Sequence, residues 1–403
     1  MATPQTNDTV AAILKRGGYS DKLNESIIVR ERPGLQLAKR EKDFFSSEIH
    51  VPVVTGNNQN ISADFAVAQA GSAGQAYDYF LVKPVRYYGV GNLDGLLVDQ
   101  ARMGGASDHF VDALKAEYEG TLESVGQRIA QQMYGNHGGA LGRIASIDDD
   151  TLTLEAPSSG IYFSRRQRVA FSVTDGTSGT TKTGFSTVLG VDPMAGTVTL
   201  VAGGTATPAV GDYIFNLGDF GKAPSGFESW NPSTTDGLAT PFWGMDRSGD
   251  PLRLAGGRYS GDAQGDTLDT VLQRGLRAHF AMTGQKAGYV LMNPFDVGKI
   301  EALKEATKEI RSDKTYNLGI EAFQVHGINV VEDIYCPEGI AQVVGGRDAW
   351  VWKTCGNVPR VDDTDGLKLL RAANGDNFEL RIKGYHNFLS RNTAGLSKIF
   401  LPA

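Results

Sequence analysis

Residues 107–135, SDHFVDALKAEYEGTLESVGQRIAQQMYG, carry the strongest helical pattern in the chain. Ser107 can cap the N-terminus, and Asp108 near the start and Arg128 near the end suit the helix dipole. At ~1.5 Å per residue the helix would be roughly 42 Å long, longer than a typical globular helix. Its apolar side chains recur every three or four residues as one stripe: Phe110, Leu114, Tyr118, Leu122, Val125, Ile129 and Met133. The stripe is short for a coiled coil, so we expect a spine helix lying across a sheet.

The segment before the spine helix predicts a two-stranded flap. Residues 50–54 and 77–88 have β-type patterns, and Pro84 within the second run suits an edge strand. Between them lies TGNNQNISADFAVAQAGSAGQA, residues 55–76, which is too long for a hairpin turn and too polar for a core. A two-stranded flap has little stability alone, so we expect it to pack on a neighbour.

The two segments that flank the flap have weaker patterns. Residues 1–46 are charged and show little apolar periodicity, with a short helix possible over residues 22–29. They predict an arm that lies against another surface, and a frayed terminus is the alternative. After the flap, NLDGLLVDQAR predicts a helix that begins at Asn92.

Residues 140–216 differ in composition from the rest of the chain. They are rich in Thr, Val and Gly and contain acidic turns at residues 148–150 and 192–196. RIASIDDDTLTLEAP followed by QRVAFSV resembles TVLGVDPMAGTVTLVAG followed by GDYIFNL. Two copies of a hairpin with a returning strand predict a small β-barrel or sandwich inserted into the chain.

The remainder of the chain has a mixed α/β pattern after a turn-rich stretch at residues 221–265. Helices are predicted over residues 267–283 and 294–308. Strands are predicted over residues 289–292, 321–331, 340–344, 350–353 and 378–385.

Composition limits the classes of protein that fit. The chain has 403 residues, a net charge of −7 and 50 glycines, which favours a loop-rich protein and argues against a dedicated nucleic-acid binder. Two cysteines, Cys336 and Cys355, cannot form a disulfide framework and fit a reducing compartment. We expect no signal peptide and no membrane span, because no long apolar run exists.

No residue pattern predicts catalysis. The six histidines lack metal-ligand spacing, and no nucleophile elbow occurs. Residues 89–95 resemble a dinucleotide loop with one residue too many and are expected to form a turn. VDDTDG at residues 361–366 resembles a calcium loop, but the alternation of oxygen ligands fails at Leu367. We therefore predict no catalytic, cofactor-binding or metal-binding residues.

The order of these parts resembles the Hong Kong 97-type major capsid proteins of tailed double-stranded DNA bacteriophages. Residues 91–136 look like the family's helix leading into its spine helix, and FWGMDRSGDPLRLAG at 242–256 looks like a linking segment. YVLMNPFDVGKIEAL at 289–303 and VHGINVVEDIYCPEGIAQVVG at 325–345 resemble elements of the axial domain. The resemblance covers roughly residues 20–139 and 221–403.

The resemblance implies an α+β chain with the Hong Kong 97-like capsid fold, to which a small all-β domain is added. The predicted parts are an N-terminal arm (1–46), an extended loop with flanking strands (47–90), a peripheral domain with the spine helix (91–139), the inserted β domain (140–220), a linking segment (221–265), an axial α/β domain (266–375) and C-terminal strands returning to the peripheral domain (376–403). The seven stripe residues are the candidate assembly residues.

The resemblance also implies a function: a shell subunit, not an enzyme, that self-assembles into pentamers and hexamers around phage DNA. Expected partners are other copies, a scaffolding protein, a portal, a decoration protein and packaged DNA in non-specific contact, with no cofactor and no membrane. We expect assembly in the host bacterial cytoplasm and residence in the virion. The founding phage cross-links its subunits through a loop Lys, whereas residues 50–80 contain none and the nearest is Lys83.

Two other classes stay open at this point. A phage tail or baseplate protein also carries β domains with Gly-rich loops, although the spine helix and the α/β region argue against it. A hydrolase with an accessory β domain would need a nucleophile or a metal set, which no pattern supplies.

Overall fold

The computed structural model describes residues 27–57, 60–70, 75–96, 107–261, 266–306, 322–325, 327–346, 348–362, 369–371 and 375–402. Its helices are α1 (Pro33–Leu37), α2 (Phe65–Ala70), the spine helix α3 (Ser107–Gln132), α4 (Phe227–Trp230), α5 (Pro251–Ala255), α6 (Leu268–Thr283) and α7 (Pro294–Ala306). Short 3-10 helices lie at Pro157–Tyr162 and Thr393–Gly395.

The first sheet holds the spine helix. It contains β1 (Lys39–Glu41), β4 (Val85–Asp94), β16 (Val351–Thr354), β17 (Arg360–Val361), β18 (Leu369–Arg371) and β19 (Asn377–Leu389). β19 pairs antiparallel with β4 over ten residues, from Val85 opposite His386 to Asp94 opposite Asn377. A Cβ added at Gly89 would lie 2.9 Å from a Thr121 methyl group, so the missing side chain lets the helix lie directly on the strand.

Several sequence predictions for this region are wrong. The helix expected to begin at Asn92 begins only at Gly95, because β4 continues to Asp94 on the backbone groups of β19, and residues 97–106 lie outside the described part of the chain. The expected turn at residues 89–95 therefore lies mostly within β4 as well. The single run at residues 77–88 is two strands, β3 (Ala76–Val82) and β4, which separate at Pro84 since proline has no N–H to donate. Near the end of the expected arm, β1 pairs in parallel with β16, whereas residues 1–26 of the arm lie outside the described residues, so the arm stays a prediction.

An aromatic stack fills the core beneath this sheet. The rings of Phe227 and Trp350 are stacked with centroids 3.9 Å apart, and Trp350 stacks on Phe388 at 5.5 Å. Trp352 and Trp230 complete the cluster, and all five side chains are buried. Buried aromatic rings contribute large contact areas, so this cluster dominates the packing energy of the first sheet.

Residues 140–216 close into a six-stranded barrel. Its strands are β5 (Ala140–Asp148), β6 (Thr151–Leu154), β7 (Arg168–Ser172), β8 (Ser186–Asp192), β9 (Thr197–Leu200) and β10 (Tyr213–Asn216). The strands close in the order β10-β5-β6-β9-β8-β7. The two hairpins pair with each other through β6 and β9, and the returning strands β7 and β10 also pair.

The barrel's pairing preserves the two-fold relation of the sequence repeat. Across β6 and β9, Leu152 lies opposite Val198, while Thr151 lies opposite Thr199. In the aligned repeats Leu152 corresponds to Val198 and Thr151 to Thr197, so each copy makes the same contacts with the other. The small barrel or sandwich predicted from the repeat is a closed barrel with its own apolar core.

The second sheet carries the α/β layer. It has the order β11-β20-β15-β12-β14-β13, with β11 (Gly257–Ser260), β12 (Tyr289–Met292), β13 (Ala322–Val325), β14 (Ile328–Glu332), β15 (Ile340–Val344) and β20 (Leu396–Phe400). Helices α6 and α7 pack against it around a separate apolar cluster. The strand expected at residues 321–331 is a hairpin, β13 and β14, that turns at Gly327 with φ 75°.

Four strands fall in different sheets from those expected. β16, β17 and β18 lie within the predicted axial segment but pair with β19 in the first sheet. β20 lies within the predicted C-terminal segment but pairs with β11 and β15 in the second sheet. These assignments depend on the choice of pairing partner in the folded chain, which a local pattern does not encode.

Buried histidines make stability depend on pH. His386 accepts a hydrogen bond from the Trp352 indole N–H (3.2 Å) and packs edge-on against Tyr87, and burial lowers its pKa to about 3. Unfolding therefore takes up a proton below the ordinary pKa of about 6.5, so stability is complete above pH 6.5 and falls as pH drops toward 3. Burial lowers the pKa of His137 and His279 in the same direction.

We predict that His386→Gln reduces the acid sensitivity of the subunit. From pH 6.5 to pH 5 the histidine contributes a loss of about 2 kcal/mol in the free energy of unfolding, and glutamine removes this part. Urea unfolding of both proteins at pH 7.5, 6.5 and 5.0 measures the difference. An unchanged pH slope in the variant would show that His386 does not stay neutral in the folded chain.

Candidate assembly surface

The flap is a β-hairpin whose base packs within the apolar core. β2 (Ile49–Gly56) pairs antiparallel with β3, with Val51 opposite Phe80 and Ile49 opposite Val82. Phe80 is fully buried and meets the Trp230 ring edge-on at 5.1 Å. The flap predicted from the sequence is therefore confirmed as a strand pair, and its base belongs to the same apolar cluster as the aromatic stack.

The linking segment clamps this base. The backbone N–H of Leu81 donates to the Trp243 carbonyl (2.9 Å), and the Arg253 guanidinium donates to the Val54 carbonyl (3.3 Å). Phe242 packs edge-on against Phe80, with ring centroids 6.1 Å apart. The turn-rich stretch at residues 221–265, which showed no clear pattern in sequence, thus fixes the direction in which the flap leaves the body.

The outer half of the flap exposes apolar side chains that no other described residue covers. Ile61 is 88% exposed and Phe65 79%, and helix α2 at the tip buries none of its residues. Tyr77 is 64% exposed, and its hydroxyl donates only to neighbouring Gln75 (2.7 Å). Isolated exposed apolar residues are common, but this cluster lies on one projecting element, which is typical of an interaction site.

A buried polar junction holds three parts of the body together. The Asp333 carboxylate accepts hydrogen bonds from the Gly34 N–H (3.0 Å), the Tyr134 hydroxyl (2.9 Å) and the Tyr335 N–H (2.9 Å). Burial raises the pKa of Asp333, whereas these donors oppose the rise. Since the three donors lie in α1, just after the spine helix and just after β14, the carboxylate ties the N-terminal segment and the spine to the second sheet.

Arg32 reinforces this junction from the N-terminal side. Its side chain is almost fully buried, donates to the Ile28 carbonyl (2.7 Å) and pairs with Glu123 of the spine helix. A buried guanidinium left without such partners would cost several kcal/mol. No sequence pattern singled out Arg32 or Asp333, because each gains its role from a partner distant in sequence.

The predicted stripe lies inside the subunit. Tyr118, Leu122, Val125, Ile129 and Met133 are buried among residues of the first sheet and its surroundings. The side chains of Phe110 and Leu114 lie outside the described residues. Because the chain's own strands cover the described stripe, it offers no surface to another subunit. The role of the stripe in assembly stays a prediction. The stripe would serve assembly indirectly, by fixing the position of the spine helix.

The described residues hold no group of three or more His, Cys, Asp or Glu side chains placed to bind a metal ion. In the calcium-like stretch, Asp362 pairs with Lys383, and residues 363–368 lie outside the described part of the chain. Both cysteines are free thiols. Among the helices of the described chain, none combines the length and apolar character needed to cross a membrane.

The buried cation Lys398 has a structural partner. It pairs with Glu228, and the Ser233 hydroxyl lies 3.0 Å from its amine. Burial lowers the pKa of Lys398, while the Glu228 carboxylate opposes that change. The pair connects β20 to α4, which accounts for the buried charge without catalysis.

We predict that truncating a side chain at the base of the flap lowers stability strongly, whereas truncating one at its tip has almost no effect. Phe80→Ala should lower the free energy of unfolding by about 3–5 kcal/mol, because it leaves a cavity beside Trp230. Phe65→Ala should change it by less than about 0.5 kcal/mol, because that ring touches no core residue. Urea unfolding of the unassembled subunit compares them, and equal effects would contradict this division of the flap.

The architecture is similar to that of solved shell proteins at low sequence identity. The cyanophage A-1(L) capsid chain matches with a TM-score of 0.52 and 12% identity, over 92% of each chain. The holo-SrpI encapsulin of Synechococcus elongatus PCC 7942 gives 0.48 and 7%, over 92% of this chain and 88% of that one. The capsid of a native GTA particle gives 0.45 and 8%, over 94% and 91%.

No protein-family model matches the chain, and a search of curated proteins finds no match. The likeness to the cyanophage chain extends over nearly the whole length of both proteins, and its TM-score exceeds 0.5. It agrees with the α+β layers, the spine helix and the flap described above. The chain therefore has the Hong Kong 97-like capsid fold.

Proposed function

We propose that this chain is a major capsid subunit that self-assembles into a closed icosahedral shell around phage double-stranded DNA. The observation that carries the proposal is the flap, which is anchored in the core at its base and whose outer half exposes Ile61 and Phe65 without cover from any described residue. The fold shared with the cyanophage capsid chain supports the same role.

The exposed flap favours contacts between unlike surfaces of neighbouring subunits. A two-stranded hairpin with Ile61, Phe65 and Tyr77 in water gains stability when another copy covers these side chains. Contacts of this head-to-tail type close into rings when the rotation fits, which gives pentamers and hexamers. Other copies of the chain are thus its main partners.

The overlap is non-covalent in this proposal. Residues 50–80 contain no Lys, and Lys83 lies at the base of the flap, where its carbonyl accepts a hydrogen bond from Asn387 (2.7 Å). An amine at the base does not reach the place that a cross-linking Lys at the tip would occupy. Shell strength then depends on apolar burial and strand contacts.

The finer expectations belong to the same proposal. The barrel forms an added domain over residues 140–220, and the other parts divide at the boundaries predicted from the sequence, apart from β16, β17, β18 and β20, which lie in other sheets than predicted. A scaffolding protein, a portal and a decoration protein act as partners, and packaged DNA makes non-specific contacts. The subunit assembles in the host cytoplasm, resides in the virion and has no enzymatic activity.

Electron microscopy of the expressed chain tests the proposal directly. We expect icosahedral particles, or hexamers and pentamers, over a range of salt concentrations and with the phage's scaffolding protein present. A chain that stays monomeric in all of these conditions would overturn the proposal. Tubes or stacked rings would favour a tail protein instead.

We predict that the double variant Ile61→Ser and Phe65→Ser assembles poorly. Both side chains are exposed in the subunit, so its thermal unfolding temperature should stay within a few degrees while particle yield falls roughly tenfold. Val210→Ser, at an apolar position of the barrel that is 65% exposed, is the matched control and should assemble normally. Particle yield is measured by sedimentation, and wild-type yield from the double variant would remove the flap from the assembly mechanism.

A further inference from the structure

A groove of about 1010 Å³ runs between β4, the spine helix and the barrel. Six consecutive residues of β4, Val85 to Val90, form one side. The spine helix presents a polar face that includes Glu117, Ser124 and Gln131, and the loops at the barrel's base close the far end. None of the functions proposed above uses this groove.

The side of the groove formed by β4 is a free strand edge. Within the described residues, β4 pairs only with β19. Asn92 turns its N–H away from β19 and donates to the Glu117 carboxylate (3.1 Å). Because backbone groups alternate along an antiparallel strand, Arg86, Tyr88 and Val90 turn their N–H and C=O groups toward the same open edge.

The groove is basic although the protein is acidic. Five cationic side chains and two carboxylates line it: Arg86, Arg128, Arg165, Arg166 and Lys222, with Glu117 and Asp219. Arg128 pairs with Asp219 at 2.7 Å. The other four cationic side chains form no ion pair with any described residue. The groove thus carries an excess of positive charge within a chain of net charge −7.

The loop that supplies two of these cations is held in place. Arg166 adopts φ 69°, an uncommon conformation for a residue with a side chain, and its N–H donates to the Val188 carbonyl (2.8 Å). The Ser164 N–H donates to the Gln167 side chain (2.9 Å). A loop held this way presents its charges without an ordering cost on binding.

We propose that this basic groove binds an extended, carboxylate-rich peptide segment of a partner protein, which adds a strand to β4. A peptide backbone offers alternating donors and acceptors that can pair with the N–H and C=O groups of the open edge. A nucleic-acid backbone offers phosphates without N–H donors. The exposed length of β4 accommodates about six residues at ~3.3 Å each. Acidic side chains on that strand meet the cations that face the edge.

Protection of the edge is the competing explanation. Charged residues often prevent unwanted pairing of edge strands. Here, however, only Arg86 lies on the strand itself, while Arg165, Arg166 and Lys222 face it from the barrel and its linker. Charges on the opposite wall attract an acidic strand more than they block one.

The test uses a fluorescein-labelled peptide of sequence EVETEVE and the full-length, unassembled subunit. Fluorescence anisotropy at low ionic strength should show saturable binding that weakens with added salt. The double variant Arg165→Glu and Arg166→Glu should weaken binding by at least about tenfold. Lys286→Glu, an exposed cation outside the groove, is the matched control and should change binding by less than about twofold.

Strand addition is tested separately from charge. Tyr88→Pro removes an N–H that faces the open edge and leaves the bonds to β19 intact, so binding should fall by at least about tenfold. A peptide N-methylated at alternate residues should also fail to bind, and this arm does not depend on the folding of any variant. Circular dichroism verifies the fold of each variant.

Three results would overturn the proposal. No saturable binding of the peptide would remove the site, and equal binding of the N-methylated peptide would leave only a charged patch. Binding of a labelled oligothymidylate in place of the peptide, with the same dependence on Arg165 and Arg166, would assign the groove to nucleic acid. The assay measures the isolated subunit, so its outcome is independent of shell formation.

Discussion

The close contact between the spine helix and β4 is the interaction on which the rest of the architecture depends. It requires glycine at positions 89 and 91, where an added Cβ would lie within about 3 Å of spine side chains. β4 in turn pairs with β19, which begins almost three hundred residues later. The two halves of the chain are therefore held by one helix lying on one strand pair.

The polar junction at Asp333 extends this arrangement to the second sheet. Its carboxylate is buried but has three hydrogen-bond donors from three parts of the chain, and Arg32 adds a charge nearby. The three hydrogen bonds of this buried carboxylate favour one relative position, because a displacement leaves a polar group unpaired in a low-dielectric setting. Apolar packing alone tolerates more variation in that position.

Apolar surface and charge are distributed unevenly over the molecule. The flap is packed tightly around Phe80 and exposes Ile61 and Phe65 at its tip, so the same hairpin contributes to stability at one end and is available for contacts at the other. The basic groove beside β4 contrasts with the negative charge of the whole chain. These two surfaces differ in chemistry, which allows them to serve different partners.

Local patterns determined much of this protein. The stripe from Tyr118 to Met133, the flap strands and the repeated hairpins of the barrel follow from periodicities and turns within single segments, and the structure has each of them. Only the tertiary structure decided that Asn92 lies in a strand, that β16 and β20 join different sheets, and that Arg165 lines the groove beside β4. The physical reason is that strand pairing and charge placement depend on partners outside the local segment, some of them hundreds of residues away, whereas helical and turn patterns depend on neighbours within a few positions.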